Sequence, residues 1–278
     1  MTIECKTIKP HIGAIVYLDK SNLLDDSATK RCLELLDDRQ VLVFPRIGLT
    51  ESEQLAFTDR LGTRVVFTQS AKGATQADIY RVTLDAKIHQ RPEYVLGTFF
   101  WHMDGVTSDI PPPKATILSA YRVAPKGGQT DFANTFAAYQ ELPAEEKADI
   151  AELRVVHSVE ASVRPVYDVP TKEERANWNH LSPKTHPIVW THKSGCKSLL
   201  IGQTADHVVG MPLAEGRALL ARLLEWTAQP DFCYRHQWQE GDLVIWNNCG
   251  ALHRVIPYAR DSGRMMHRTT IAGTEAVQ

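Results

Sequence analysis

Short apolar runs bounded by turn residues are the feature of this sequence that most limits its fold. Examples are GAIVYL, QVLVFP, ATILSAY, PIVW, SLLIG and GDLVIWN, several of them rich in β-branched residues and flanked by Gly, Pro, Asp or Asn. Buried strands have this length and composition, whereas a helix needs a longer stretch with apolar residues three and four apart. The pattern predicts a fold that is mainly β.

A few helices are predicted among the strands. Thr50 and Glu53 are spaced as a capping box, in which each side chain satisfies the other residue's backbone N–H, so a helix is expected over 50–61. Pro143 and Pro212 each stand where the first residue of a helix is expected. Many strands with peripheral helices indicate a β-sandwich or barrel with α+β decoration.

The length of 278 residues suits one large domain or at most two, and no repeat or composition break marks a boundary. We therefore expect 1–278 to form a single domain. Lys and Arg number 31 against 33 Asp and Glu, which gives a net charge of -2. This balance provides no general attraction to nucleic acid or to an anionic membrane, and a small molecule is the expected partner.

Cysteine usage and the N-terminus favour the cytoplasm. The five cysteines are scattered and form no CxxC pair, which predicts free thiols rather than disulfides or a zinc site. The opening residues MTIECKTIKPHIG contain no apolar signal region. No stretch approaches the ~18 apolar residues that span a bilayer. We therefore expect a cytoplasmic protein without a membrane anchor.

One polar, Pro-punctuated stretch at 162–186 shows little periodicity. Long segments of this kind are often lids or binding loops, so 162–186 is a candidate active-site lid. A mobile surface loop fits the same pattern, and the sequence does not distinguish such a loop from a lid.

A His-x-Asp element, His102 and Asp104 in FFWHMDG, is the first sign of a metal centre. In an extended strand residues i and i+2 share a side, so this imidazole and carboxylate face the same way. His253, in WNNCGALHRV, supplies a second imidazole far downstream. Two histidines and one carboxylate are the facial ligand set of non-haem Fe(II) sites with open positions. With eleven histidines in the chain, the element alone is weak evidence.

A possible anion-binding strand face follows the second histidine. The open positions of an octahedral metal accommodate a chelating 2-oxo acid and O2, and the far carboxylate of that acid then needs a cation, best an Arg fork. Arg264 and Arg268, in GRMMHRTTIAG, share one face of an extended run by the period of two. Thr130, in APKGGQTDF, can add a hydroxyl donor to the same carboxylate.

Taken together, these motifs resemble the TauD/TfdA family of Fe(II)- and 2-oxoglutarate-dependent dioxygenases. The motifs that carry the resemblance, in order, are FWHMDG, GGQTDFANT, HPIVWTHKSGCKSLLIG, WNNCGALHRV and RMMHRTTIAG, and it spans about 42–273. It implies a double-stranded β-helix (jelly roll) in which His102, Asp104 and His253 bind the metal. The implied cofactors are Fe(II), 2-oxoglutarate as co-substrate, and O2.

The resemblance also implies roles for residues around the metal. Thr130 and Arg264 would hold the distal carboxylate of 2-oxoglutarate. Arg268 would face a substrate carboxylate, sulfonate or sulfate, or instead brace the near carboxylate of the 2-oxo acid. Gly105 and Val106 are expected beside the iron in contact with substrate. The implied reaction converts 2-oxoglutarate to succinate and CO2 while hydroxylating a substrate C–H bond, in a homo-oligomer (dimer or tetramer).

Some sequence features narrow the substrate. The taurine enzyme binds sulfonate with a histidine from a segment that here reads VVFTQSAKGATQ, and no histidine occurs between His11 and His89. Taurine is therefore not the expected substrate. The aryloxyalkanoate-degrading branch resembles this chain somewhat better around LLIGQTADHVVGM. Related halogenases lack the carboxylate ligand, so Asp104 favours hydroxylation.

Two other functions remain open at this point. A zinc-dependent hydrolase or lyase could use the same three ligands, although it has no need of the face that carries Arg264 and Arg268. A non-catalytic small-molecule binder could keep the same fold, although it would not need all three ligand types.

Overall fold

The computed structural model describes residues 3–65, 79–88, 92–167, 169–178 and 181–277. Within these ranges the strands are β1 (Glu4–Thr7), β2 (Ala14–Tyr17), β3 (Val41–Phe44), β4 (Tyr80–Val82), β5 (Ala115–Arg122), β6 (Thr130–Asn134), β7 (Arg154–His157), β8 (Lys184–Pro187), β9 (Val189–Thr191), β10 (Lys197–Leu199), β11 (Ala205–Val208), β12 (Cys233–His236), β13 (Leu243–Asn247), β14 (Ala251–Val255) and β15 (Met265–Ile271). The helices are α1 (Asp26–Arg39), α2 (Glu51–Leu61), α3 (Pro92–Gly97), α4 (Thr135–Gln140), α5 (Ala144–Ile150), α6 (Val159–Val163), α7 (Lys172–Trp178) and α8 (Leu213–Thr227). Every apolar run predicted to be a strand overlaps one, so the prediction of a mainly β fold with helices is confirmed.

The strands form one large sheet and three small ones. The large sheet has seven strands in the order β1-β2-β3-β13-β5-β15-β4, antiparallel except for the parallel pair β2 and β3. A three-stranded sheet has the order β12-β6-β14. The remaining strands pair as β11-β7-β8 and β10-β9. Strands distant in sequence, such as β5 and β15, are neighbours, so the site depends on long-range pairing.

Strand β13 shows how the core is divided. Val244 and Trp246 lie in a buried cluster with Phe132 of β6, between the seven-stranded sheet and the β12-β6-β14 sheet. Leu243 and Ile245 alternate with them and pack in a second cluster with residues of α1 and α2. A strand that is buried on both faces has a continuous apolar sequence, which accounts for the run LVIW in β13. Each such side chain contributes about 1.5–3 kcal/mol of burial free energy.

The predicted capping box at the start of α2 is confirmed. The Thr50 N–H donates to Glu53 Oε2 at 2.8 Å, and the Glu53 N–H donates to Thr50 Oγ1 at 3.3 Å. Helix α2 is hydrogen-bonded to β15: Gln54 Nε2 donates to the His267 carbonyl at 3.0 Å and to Thr269 Oγ1 at 3.3 Å. With the odd-numbered residues of β15 turned towards α2, the even-numbered ones face the space between the sheets.

Two predictions about helix starts are wrong by one position. Pro143 and Pro212 are the N-cap residues of α5 and α8, with ψ values of 146° and 135° that lie outside the helical range. The fixed φ of proline suits an extended N-cap as well as a first helical residue. The helices themselves are present as expected.

The stretch at 162–186 contains more regular structure than predicted. α6 ends inside it, α7 lies wholly within it and β8 begins there. A second capping box starts α7, since the Thr171 N–H donates to Glu174 Oε2 at 2.7 Å and the Glu174 N–H donates to Thr171 Oγ1 at 3.1 Å. The pattern TKEE is therefore a helix start that the low periodicity concealed. A lid function for 162–186 stays a prediction.

All five cysteines are free, as predicted. Among the described helices, none combines the length and apolar character needed to cross a membrane. The segment VVFTQSAKGATQ, used above to argue against taurine, falls almost entirely outside the described residues.

Candidate active site

The three predicted metal ligands lie together. His102 and His253 form an isolated antiparallel bridge, in which each backbone N–H donates to the other residue's carbonyl at 3.0 and 2.9 Å. Asp104 follows two positions later on the same side. One ligand atom from each of the three side chains can be chosen so that all lie within 4.8 Å of one another, a separation that one ion can bridge with bonds of about 2.0–2.2 Å after small adjustment.

The two imidazoles are prepared as metal ligands. Nδ1 of His102 lies 2.8 Å from the Phe100 carbonyl, which can only accept, so Nδ1 carries the proton and Nε2 is left with a lone pair. Nδ1 of His253 is buried and has no hydrogen-bond partner among the described residues. Burial lowers the pKa of both rings, which favours the neutral imidazole that binds metals.

Asp104 is held by two donors at one oxygen. Thr116 Oγ1 donates to Asp104 Oδ2 at 2.9 Å, and Arg268 Nη2 donates to the same oxygen at 2.8 Å. Asn248 Nδ2 donates in turn to Thr116 Oγ1 at 2.9 Å, so the threonine proton is directed at the carboxylate. Burial opposes ionisation of Asp104, but Arg268, the two histidines and the Thr116 hydrogen bond outweigh it and lower its pKa. The carboxylate is therefore ionised and fixed.

Arg264 is a buried cation. Only 2% of its surface is exposed, and its guanidinium lies 4.8 Å from the centre of the Tyr258 ring. Nη2 donates to the Gly128 carbonyl at 3.3 Å, and no carboxylate in the described part of the chain pairs with it. Burial lowers the pKa of Arg264, although an arginine side chain stays charged in proteins. A buried charge without a counter-ion is costly, so this arrangement favours an anionic ligand.

Thr130 begins β6, two residues after Gly128. The pairs Thr130–Val255 and Phe132–His253 place it on the strand face that carries His253. Its side chain is buried, and its Oγ1 accepts from Trp238 Nε1 at 2.9 Å. Thr130 and His253 therefore lie on one side of the β12-β6-β14 sheet, and Arg264 contacts the residue two positions before Thr130.

Gly105 and Val106 follow the carboxylate ligand, as expected, but have evident structural roles. Gly105 has φ +81°, and a Cβ there would overlap Pro113, so glycine is needed for this turn. Val106 is buried in the hydrophobic cluster around Trp101, and its carbonyl accepts from His186 Nε2 at 2.9 Å. Substrate contact by either residue stays a prediction.

Comparison with known proteins identifies the family of this chain. The family model described as "Taurine catabolism dioxygenase TauD, TfdA family" matches residues 4–270, nearly the whole chain. The chain belongs to this family.

Several TauD/TfdA relatives are similar along their full length. An alpha-ketoglutarate-dependent 2,4-dichlorophenoxyacetate dioxygenase from Cupriavidus pinatubonensis is 37% identical, over 97% of this chain and 98% of that protein. An alkylsulfatase from Acinetobacter baylyi is 32% identical, over 98% of this chain and 85% of that protein. The crystal structure of AAD-2 in complex with Mn(II) and N-oxalylglycine covers 100% of both chains with a TM-score of 0.83 and 32% identity.

The site of this TauD/TfdA protein includes residues that the sequence did not single out. Thr116 and Asn248 hold Asp104, Trp238 contacts Thr130, and Tyr258 lies against Arg264. Thr116 lies in the run ATILSAY and Asn248 directly follows GDLVIWN, yet nothing local distinguishes them from core residues. Their contacts cross strand pairs that only the fold brings together.

Proposed function

We propose that this protein is an Fe(II)- and 2-oxoglutarate-dependent dioxygenase that hydroxylates an aliphatic C–H bond of a small anionic molecule. Its products from the co-substrate are succinate and CO2. The observation that carries the proposal is a three-donor metal cluster in a chain that also holds a buried arginine without a carboxylate partner among the described residues. A chelating acid with a second, distal carboxylate satisfies both features at once.

The fold that we propose for this reaction is the double-stranded β-helix. Its two walls would be the seven-stranded sheet and the β12-β6-β14 sheet, which share one buried cluster. The ligand His253 comes from the second wall, Arg268 lies in the first and Arg264 directly precedes its strand β15, so a molecule bound at the metal would be enclosed by both walls.

His102, Asp104 and His253 would hold Fe(II), because two neutral imidazoles and one carboxylate leave positions open for co-substrate. The bound iron would supply the oxidising chemistry that couples decarboxylation of the 2-oxo acid to hydroxylation of the substrate. The protein's own contribution is orientation. Phe100 fixes the His102 tautomer, and Thr116 with Arg268 fixes the carboxylate.

Arg264 and Thr130 would bind the distal carboxylate of 2-oxoglutarate. The guanidinium supplies positive charge in a buried setting, where a charge-assisted hydrogen bond is stronger than one in water. The Thr130 hydroxyl adds a donor from β6, which belongs to the other sheet. Together they would orient the acid so that its keto and near-carboxylate oxygens face the metal ligands.

The substrate class follows from the relatives and from Arg268. The relatives are named for 2,4-dichlorophenoxyacetate, phenoxypropionate and sulfate esters, which are all small anions. Arg268 is 23% exposed at its side chain while it holds Asp104, so it stands at the edge of the metal site. We propose a carboxylate, aryloxyalkanoate, sulfonate or sulfate ester as substrate, with Arg268 near its anionic group.

An anaerobic metal-loading experiment tests the reaction class. With Fe(II) and 2-oxoglutarate added, the wild-type protein is expected to show the weak visible charge-transfer band of the chelate. Asp104→Ala should abolish the band or release the iron, because it removes the one anionic ligand. Asp109→Ala, on the same loop but exposed and paired with Lys184, should retain the band.

Substrate screening completes the test. Aryloxy acids, alkyl sulfates and sulfonates should be compared for stimulated release of succinate. Protein that retains stoichiometric zinc and shows no band with Fe(II) and 2-oxoglutarate would favour the hydrolase or lyase instead. Protein that binds 2-oxoglutarate but releases no succinate with or without substrate would favour a non-catalytic binder.

A further inference from the structure

Trp238 is buried next to the proposed co-substrate site but touches neither the metal ligands nor Arg264 in any described contact. Its indole Nε1 donates to Thr130 Oγ1 at 2.9 Å, and the two residues are 6% and 1% exposed. An indole N–H can donate but never accept. The threonine oxygen therefore uses an acceptor lone pair on Trp238, and its own proton must point elsewhere.

This contact limits the directions in which the Thr130 hydroxyl can donate its proton. A threonine hydroxyl rotates freely and can donate or accept, so it does not by itself select an anion. With the indole N–H on one of its two lone pairs, the Thr130 hydroxyl turns its proton away from Trp238, where a carboxylate can accept it. The guanidinium of Arg264 reaches the carbonyl of Gly128, two residues before Thr130, so both donors serve the same region.

The indole is itself held in place from behind. His236 packs edge-on against Trp238, with ring centres 4.5 Å apart and an interplanar angle of 87°. His236 Nε2 lies 3.1 Å from Asp242 Oδ2, and Tyr234 Oη lies 2.9 Å from His236 Nδ1. Because a carboxylate accepts, Nε2 donates to it and Nδ1 accepts from the tyrosine hydroxyl. A ring fixed at both nitrogens gives Trp238 a rigid support.

We infer that Trp238 is a positioning residue that directs the Thr130 hydroxyl at the distal carboxylate of 2-oxoglutarate. This inference rests on the proposed function, since it needs Thr130 to meet that carboxylate. Trp238 acts only through Thr130 and makes no contact with the co-substrate.

Binding measurements on Mn(II)-loaded protein test the inference without turnover. Trp238→Phe keeps the ring and removes the N–H, and it should raise the Kd for 2-oxoglutarate about three- to tenfold, the range of one neutral hydrogen bond. The Kd for 2-oxopentanoate, which has a methyl group in place of the distal carboxylate, should not change. Adding Trp238→Phe to Thr130→Val should cause no further loss.

Trp226→Phe is the matched control, because its indole Nε1 donates to the Ala138 carbonyl and not to the site. It should bind both acids like the wild type. Equal weakening of both acids by Trp238→Phe would mean a merely structural role and would overturn the inference, as would wild-type affinity for 2-oxoglutarate. A wild-type protein that does not prefer 2-oxoglutarate over 2-oxopentanoate would instead overturn the proposed function.

Discussion

Arg264 and Arg268 stand four residues apart at the same edge of the active site, yet their surroundings are opposite. Arg268 donates to the Asp104 carboxylate at 2.8 Å, and its side chain is partly exposed. Arg264 is almost fully buried, against a tyrosine ring and a backbone carbonyl, and has no carboxylate partner in the described ranges. The protein balances the charge of Arg268 itself, and we propose that a bound anion balances the charge of Arg264.

The comparison teaches that the two arginines have different thermodynamic consequences. A paired charge stabilises the protein that carries it, and removing one partner leaves the other uncompensated. A buried unpaired charge destabilises the empty protein and adds affinity for an anion. Both residues are arginines, and their expected roles differ because only Arg268 has a carboxylate counter-ion among the described residues.

The largest effect is expected for Arg264→Met. Loss of a charged hydrogen bond of about 1.5–3 kcal/mol should weaken 2-oxoglutarate binding about ten- to a hundredfold. Metal binding should be unchanged, because no described contact joins Arg264 to the metal ligands. Anaerobic titration of the chelate band measures the co-substrate, and metal analysis measures the iron. Equal loss of both would contradict the assigned role.

Arg268→Met should affect stability rather than co-substrate affinity. Without its cation the partly buried Asp104 loses compensation, so the metal-free variant should be about 1–3 kcal/mol less stable than the wild type. Bound metal compensates the carboxylate, so Mn(II) should raise the melting temperature more in this variant. The 2-oxoglutarate Kd should stay within about threefold.

The metal-free forms of these two variants give the sharpest contrast. Arg264→Met removes an uncompensated buried charge and should be at least as stable as the wild type, whereas Arg268→Met should be less stable. Thermal unfolding after chelation compares them directly. If both variants lose stability to the same extent, the distinction between a balanced and an unbalanced arginine is wrong.

A smaller effect is expected for Gly128→Ala. Gly128 has φ +78°, and an added Cβ would lie 3.1 Å from Nε of Arg264 and 3.2 Å from its Cδ. The left-handed backbone should cost about 1–2 kcal/mol of stability, and displacement of the guanidinium should weaken 2-oxoglutarate binding severalfold. Gly195→Ala is the matched control, because Gly195 has φ +83° and nothing within 4 Å of the added Cβ. It should lose stability and keep its affinity.

Local patterns in the sequence were sufficient for many of the elements and for three side chains that the structure brings together as candidate metal ligands. QVLVFP, ATILSAY and GDLVIWN contain β3, β5 and β13, because buried strands with turn residues at their ends are recognisable from a few neighbouring residues. The His-x-Asp spacing likewise needs only the two-residue period of a strand. The same two-residue period is the basis for predicting that Arg264 and Arg268 share one face.

What those arginines meet was not predictable, because their partners come from other elements. Asp104 precedes β5, Thr116 lies on β5, and Gly128 precedes β6. The register of β15 on β5 shifts between Met265 and Met266, so even the correct strand pair does not fix these contacts by counting. The salt bridge of Arg268 with Asp104, and the lack of a carboxylate partner for Arg264 among the described residues, follow from that three-dimensional register.

The backbone pairing of His102 with His253 also bears on the stage of synthesis at which the proposed iron could bind. More than half of the polypeptide separates the two histidines, so a nascent chain on the ribosome carries only the His-x-Asp fragment until residue 253 has been added. Two donors on an unfolded segment are a poor match for Fe(II). Under the proposed function, iron would therefore be loaded only after all three ligands have been synthesised, and apoprotein made in an iron-starved cell should become active later without new synthesis.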